Sequence, residues 1–197
     1  MQVYDIIGKY NKGLIMGLRR EYYLPHYRYD DYIQWEGNWE LINGIAYAMS
    51  PSPMFTHQAL SSLFIQSIGE SLKNCKECMI VSEMDYKLAD DTIVRPDIAL
   101  VCGQSKGSYI KKAPEFIVEI VSQSSVTRDE KLKFSLYQTE KVKYYILLYP
   151  EDLKAKIYEL QDNRYEKIID LLEGSFEFDN LECSVKVDFD FVFERFR

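Results

Sequence analysis

A carboxylate in the middle of an apolar strand is the feature that most limits what this chain can be. In the run Phe116-Ile117-Val118-Glu119-Ile120-Val121 every residue but Glu119 is apolar, as in a central strand of a sheet covered on both faces. Strand alternation sets Glu119 on the face of Ile117 and Val121. Burying an ionised carboxylate costs on the order of several kcal/mol, so Glu119 needs a cation, a hydrogen-bond network or an altered pKa. A second acid, Asp97, follows Pro96 at the head of the apolar stretch Ile98 to Cys102. The segment between the two acids holds two strands and a loop, so adjacent strands could carry both carboxylates to one edge. Like charges held together repel unless a divalent ion that prefers hard oxygen ligands sits between them. Magnesium or manganese is the expected counter-ion.

Composition narrows the class. A chain of 197 residues, 47% apolar and 28% charged, fits one soluble globular domain with at most a small appendage. Its apolar runs are far shorter than a membrane span, which argues against a membrane protein. The first residues carry charges and glycines where a signal peptide would be apolar, so the expected compartment is the cytoplasm. With 24 basic against 31 acidic side chains and a net charge of −7, the chain is not built to coat nucleic acid through bulk positive charge. A local basic groove is still compatible. Among the four cysteines only Cys75 and Cys78 are close in sequence, so a second pair for a structural zinc site is missing. The expectation is reduced, unpaired thiols.

The pattern predicts a tyrosine-rich N-terminal arm, residues 1–28, followed by one domain over residues 29–197. A short helix opens at Tyr29-Asp30-Asp31. Asn43-Gly44 between apolar runs predicts a two-residue hairpin turn joining strands at about 39–42 and 45–49. Thr56 can cap a helix with apolar positions Leu60, Leu63, Phe64, Ile68 and Leu72. Strands are expected at 79–83, 85–88 and, in one piece, 93–102. Thr127-Arg128-Asp129-Glu130 reads as a capping box opening a helix to about Glu140, and Tyr144 to Tyr149 reads as a buried strand. Beyond Pro150 come short edge strands. Strands and helices mix without regular alternation, which predicts an α/β (α+β) fold: a mixed sheet flanked by helices, with a C-terminal β extension.

On the helix after Glu119, Leu132 and Leu136 mark the expected buried stripe. At about 100° per residue, Lys133 lies beside that stripe and is better placed than Lys131 to lean back towards the sheet. Asp129, Lys133 and Tyr137 share one face at i, i+4 spacing.

The blocks WELINGIAYAMSPSP with His57-Gln58, then VRPDIALVC, then PEFIVEIVSQSS with Asp129, Lys133 and Tyr137, resemble the Uma-type restriction endonuclease family of the PD-(D/E)XK nuclease superfamily. The likeness runs from about Tyr29 to Pro150. It implies a restriction-endonuclease-like fold and a Mg²⁺- or Mn²⁺-dependent endonuclease acting on nucleic acid, DNA in the first instance. On that likeness Asp97 is the aspartate of the Pro-Asp motif, Glu119 the acid of the following strand, and Glu40 a further acidic ligand. The metal set it implies is Asp97, Glu119, the Ile120 carbonyl and Glu40. Val121 stands where the superfamily pattern has lysine, and Lys133 matches the helical lysine that replaces it in this family. His57, Arg128, Lys131 and Tyr137 are candidate substrate contacts. Arg19, Arg20, Arg95, Lys111, Lys112 and Lys141 are further charges available to a nucleic-acid surface. Many nucleases of the superfamily act as dimers, so a homodimer is compatible. The sequence departs from the family pattern at Gln123, Lys141, Tyr145 and Tyr149, none of them a proposed ligand. The rival expectation is a binding or assembly module that kept the fold and lost the chemistry.

Overall fold

The computed structural model describes residues 25–49, 54–123 and 125–197; most of the expected N-terminal arm, with Arg19 and Arg20, lies outside them. A six-stranded sheet forms the centre, in the order β10-β9-β8-β7-β6-β3. Its strands are β3 (Cys78–Ser82), β6 (Ile98–Cys102), β7 (Phe116–Ile120), β8 (Tyr144–Tyr149), β9 (Lys154–Gln161) and β10 (Arg164–Leu171). Only the β7–β8 pair is parallel. That connection is where a helical crossover is required, and it is the segment that carries Lys133.

A four-stranded antiparallel sheet has the order β2-β1-β5-β4, from β1 (Trp39–Ile42), β2 (Ile45–Ala48), β4 (Tyr86–Ala89) and β5 (Thr92–Val94). Asn43 and Gly44 at the β1–β2 turn both have positive φ, 50° and 74°, as a turn matching the twist of a hairpin demands. The expected strand 93–102 is in fact two. Pro96 has no N–H for a ladder, and the chain leaves the small sheet after β5 and enters the large one at β6. The Arg95-Pro96-Asp97 step thereby joins the two sheets.

Alternation on the central strands separates two cores. Ile98, Leu100, Phe116, Val118, Ile120, Ile146 and Leu148 face a core with Leu60, Phe64 and Ile68 of α2 (Phe55–Leu72), and with Val185, Val187, Phe189 and Val192. The last four belong to β12 (Val185–Asp188), which pairs with β11 (Ser175–Phe178), and to α4 (Phe189–Phe193). The opposite face carries Ala99, Val101, Ile117, Val121, Tyr145 and Leu147, packed with Ile42, Tyr86 and Val94 of the small sheet and with Tyr137. Tyr137 belongs to α3 (Phe134–Thr139). The short helix α1 (Tyr29–Tyr32) closes the outer side of the small sheet, with Tyr32 against Leu41 and Ile93.

Several local expectations are corrected. The N-cap of α2 is Met54 and makes no side-chain cap, so Thr56 lies inside the helix. The Thr127–Glu130 capping box does not form, because Thr127 is already helical. Ser122 and Ser125 instead exchange side-chain bonds with each other's backbone N–H, at 3.0 and 3.2 Å, and the Glu130 carboxylate meets the Tyr149 hydroxyl and Lys156. The strands at 154–161 and 164–171 extend the central sheet, with β9 paired on both sides. The cysteines are not free thiols: Cys75 is bonded to Cys183 and Cys78 to Cys102.

Candidate active site

Register brings the acids together. Ile98 stands opposite Val118 in the antiparallel β6–β7 pair, so Asp97, one residue earlier, comes opposite Glu119, one residue later. The Asp97 carboxylate accepts a 2.6 Å hydrogen bond from the Ile120 backbone N–H, which fixes it at the end of the strand pair. Glu40 arrives from the other sheet. On β1 it shares a face with Ile42, which belongs to the core between the two sheets, and it is fully buried.

Lys133 is the centre of the cluster. Its ammonium lies 2.7 Å from Glu40 Oε1, 2.9 Å from Glu119 Oε1 and 3.8 Å from Asp129 Oδ1. The inward stripe of its helix is Asp129, Lys133 and Tyr137, all buried, whereas Leu132 and Leu136 are only half-buried. The reason for this inversion is the segment Arg128–Lys133, a π-helix. Each of its turns is wider than an α-turn, which displaces the side-chain rows relative to the even 100° spacing. The Tyr137 hydroxyl donates to Glu119 Oε1 at 2.8 Å, and the Tyr145 hydroxyl donates to the Asp129 carbonyl at 3.0 Å.

Electrostatics follow from this burial. Desolvation pushes Glu119 well above the ordinary carboxylate range; Lys133 pulls it back, while Asp97, Asp129 and Glu40 push it further up. Asp129 is also raised, by burial first. Burial works against the Lys133 charge, but Glu119, Glu40 and Asp129 outweigh it and its pKa rises. Lys133 is therefore a fixed cation. Burial, then Glu119, raises Tyr137 well above its usual value, so its hydroxyl keeps its proton.

Asp97, Glu119, Ile120, Asp129 and Lys133 line a cleft of about 650 Å³, together with His57, Arg95, Arg128 and loop residues on either side. His57 Nε2 is 3.2 Å from Asp97 Oδ2, and its buried Nδ1 has no hydrogen-bond partner among the described residues. His57 thus touches Asp97 directly from the first turn of α2. Arg128 Nε approaches Glu40 Oε2 at 3.3 Å and reaches the cleft wall.

Two expected substrate contacts are misplaced. Tyr137 is fully buried and its hydroxyl is spent on Glu119, so it supports the acid. Lys131 is exposed beside a shallow depression with Tyr47 and Leu132, not in the cleft, because its row on the helix faces outward. Glu40 is enclosed by Lys133, Arg128 and the Arg95 backbone N–H at 2.9 Å. It anchors the lysine and does not line the cleft. Of the basic residues counted from sequence, Arg95, Arg128 and Lys133 are at the cleft. The larger part played by Arg95 and Asp129 had a faint signal: Arg95 precedes a proline, where extended backbone is favoured, and Asp129 shares the Lys133 row.

A family model described as Uma2, putative restriction endonuclease, matches residues 29–178. The fold is similar to the crystal structure of a putative nuclease belonging to DUF820 from Anabaena variabilis ATCC 29413, with 17% sequence identity and a TM-score of 0.66, covering 85% of this chain and 98% of that one. No curated protein sequence matches the chain.

Proposed function

The chain belongs to the Uma2 restriction endonuclease family, and we propose that it is a divalent-metal-dependent endonuclease that hydrolyses phosphodiester bonds of DNA. The observation that carries this reading is the ammonium of Lys133 held 2.9 Å from Glu119 on the wall of an open cleft, with Asp97 opposite in register.

The donor set fits Mg²⁺ or Mn²⁺. Asp97, Glu119 and the Ile120 carbonyl offer hard oxygen ligands, and a divalent ion would offset both the burial and, after it, the neighbouring acids that raise Glu119. Both hydrogen bonds on Glu119 fall on Oε1, leaving Oε2 for a ligand. When bound, such an ion supplies Lewis-acid polarisation of a phosphodiester and a water of lowered pKa. The protein's own groups do the rest. Glu40 and Asp129 hold the Lys133 ammonium in place and protonated, where it orients an attacking water and stabilises charge developing on phosphate. Tyr137 fixes the rotamer of Glu119, and His57 that of Asp97. Arg95 and Arg128 offer positive charge to the backbone of the incoming strand.

One observation favours the rival, a non-catalytic module: Lys133 and His57 already balance part of the acidic charge without an ion. A single experiment separates the two. Glu119→Ala should lower Mg²⁺- or Mn²⁺-dependent nicking of plasmid DNA by roughly 10²-fold or more while far-UV circular dichroism stays unchanged. Equal nicking by the variant and the parent would remove Glu119 from the chemistry, and a parent that neither cuts nor binds Mn²⁺ would favour the module.

A further inference from the structure

Away from the acids, at the other end of β6, Cys75, Cys78 and Cys183 cluster together, and Cys102 joins them through Cys78. Cys75 lies in the turn after α2, Cys78 begins β3, Cys102 ends β6, and Cys183 lies between β11 and β12. Cys78 and Cys102 are directly opposite each other in the β3–β6 ladder. The Sγ atoms of Cys78 and Cys183, which are not bonded to one another, are 3.6 Å apart. Those of Cys75, Cys78 and Cys183 lie within 4.8 Å of one another, and Cys102 is bonded to Cys78. The four sulfurs thus form one continuous group, Cys75–Cys183 against Cys78–Cys102, rather than two separate cross-links.

We propose that these four cysteines, in the reduced chain, form a structural zinc site. Tetrahedral zinc bound by four thiolates at about 2.3 Å sets its sulfurs roughly 3.8 Å apart, close to the spacing of Cys78 and Cys183. Cys75-Lys76-Glu77-Cys78 has the two-residue spacer of a zinc knuckle. The second pair that the sequence lacks is supplied in space, by strand pairing at Cys102 and by a hairpin loop at Cys183. Among the described residues no histidine, aspartate or glutamate joins the group, and an all-sulfur donor set selects zinc over magnesium or manganese. Cys78 is buried and the other three are partly buried against the core beneath α2, so the site is closed, as structural zinc sites are. Each thiol gives its proton to solvent as it binds, leaving four thiolates on one Zn²⁺. The result is a clip that fastens the β11–β12 hairpin to the edge of the central sheet.

The test is made on the full chain, expressed with zinc and kept in a phosphine reductant throughout. Metal analysis should find one zinc per chain, and X-ray absorption should show an all-sulfur shell at about 2.3 Å. Glu119→Gln should keep that zinc in full, whereas Cys102→Ser and Cys183→Ser should lose most of it. If the serine variants fail to fold, cobalt substitution of the parent decides: a tetrahedral thiolate spectrum supports the site. Four titratable thiols with no bound metal, disulfides that persist under reductant, or iron in place of zinc would each overturn the proposal.

Discussion

Strand β6 has Asp97 at its entrance and Cys102 at its exit, five residues or roughly 16 Å away, and its two ends are built on opposite principles. At the entrance, Glu40, Asp97, Glu119 and Asp129 crowd around one lysine, with an arginine and a histidine at the margin. At the exit, four sulfurs hold three separate segments together, with no carboxylate among the described residues in their group. The first arrangement is costly to fold, since desolvating charges offsets much of their mutual attraction. The second stabilises whichever way its sulfurs are bonded. The difference teaches where the chain keeps reactivity and where it keeps rigidity, although both ends belong to one strand.

The comparison can be broken or sharpened by substitution. The largest effect is expected from Lys133→Met, which leaves Glu119 buried without its cation and Glu40 with Arg128 alone. Urea unfolding at neutral pH should show a loss of about 4 kcal/mol, along with loss of DNA nicking. The sign of its pH dependence follows from Glu119. Its folded-state pKa is already raised by burial, and without Lys133 it rises further. Its stabilising effect is present at low pH and disappears as pH climbs through the folded value, so the variant should recover stability as pH falls towards about 4. A loss that does not shrink in acid would mean that Lys133 acts through packing alone. Next in size is Cys183→Ser at the other end, expected to lower stability by about 3 kcal/mol while leaving Mn²⁺-dependent nicking in place. If nicking falls in proportion, the two ends are not independent. Tyr137→Phe removes one hydrogen bond to a charged acceptor and should cost about 2 kcal/mol. The smallest stability change belongs to Asp97→Asn, within about 1 kcal/mol of the parent because the amide oxygen can still accept from Ile120 N–H. That variant should nevertheless lose the rise in melting temperature that millimolar Mn²⁺ gives the parent, and a persisting rise would relocate the ion.

What could be read in advance divides along a physical line. The mixed sheet with flanking helices followed from apolar periodicity, and the Asn43-Gly44 turn from the φ values those residues tolerate. Placing Asp97 across from Glu119 needed only alternation and two adjacent strands. Three things needed the third dimension. The break at Pro96 hands one expected strand to two sheets, which neither half announces. Cys102 and Cys183 join Cys75 and Cys78 through strand pairing and a distant hairpin, so no spacing rule could count them. The inward turn of Lys133 depends on a π-helix, whereas the spacing argument assumed an even 100° per residue.

That wide turn sets a tolerance for insertion. Inserting one further residue between Ser125 and Lys133, wound at the ordinary helical pitch, would swing the amine by roughly 100°, away from the acids, though every ligand remained in the chain. The position of the positive charge is therefore held by how many residues precede it as much as by which ones they are.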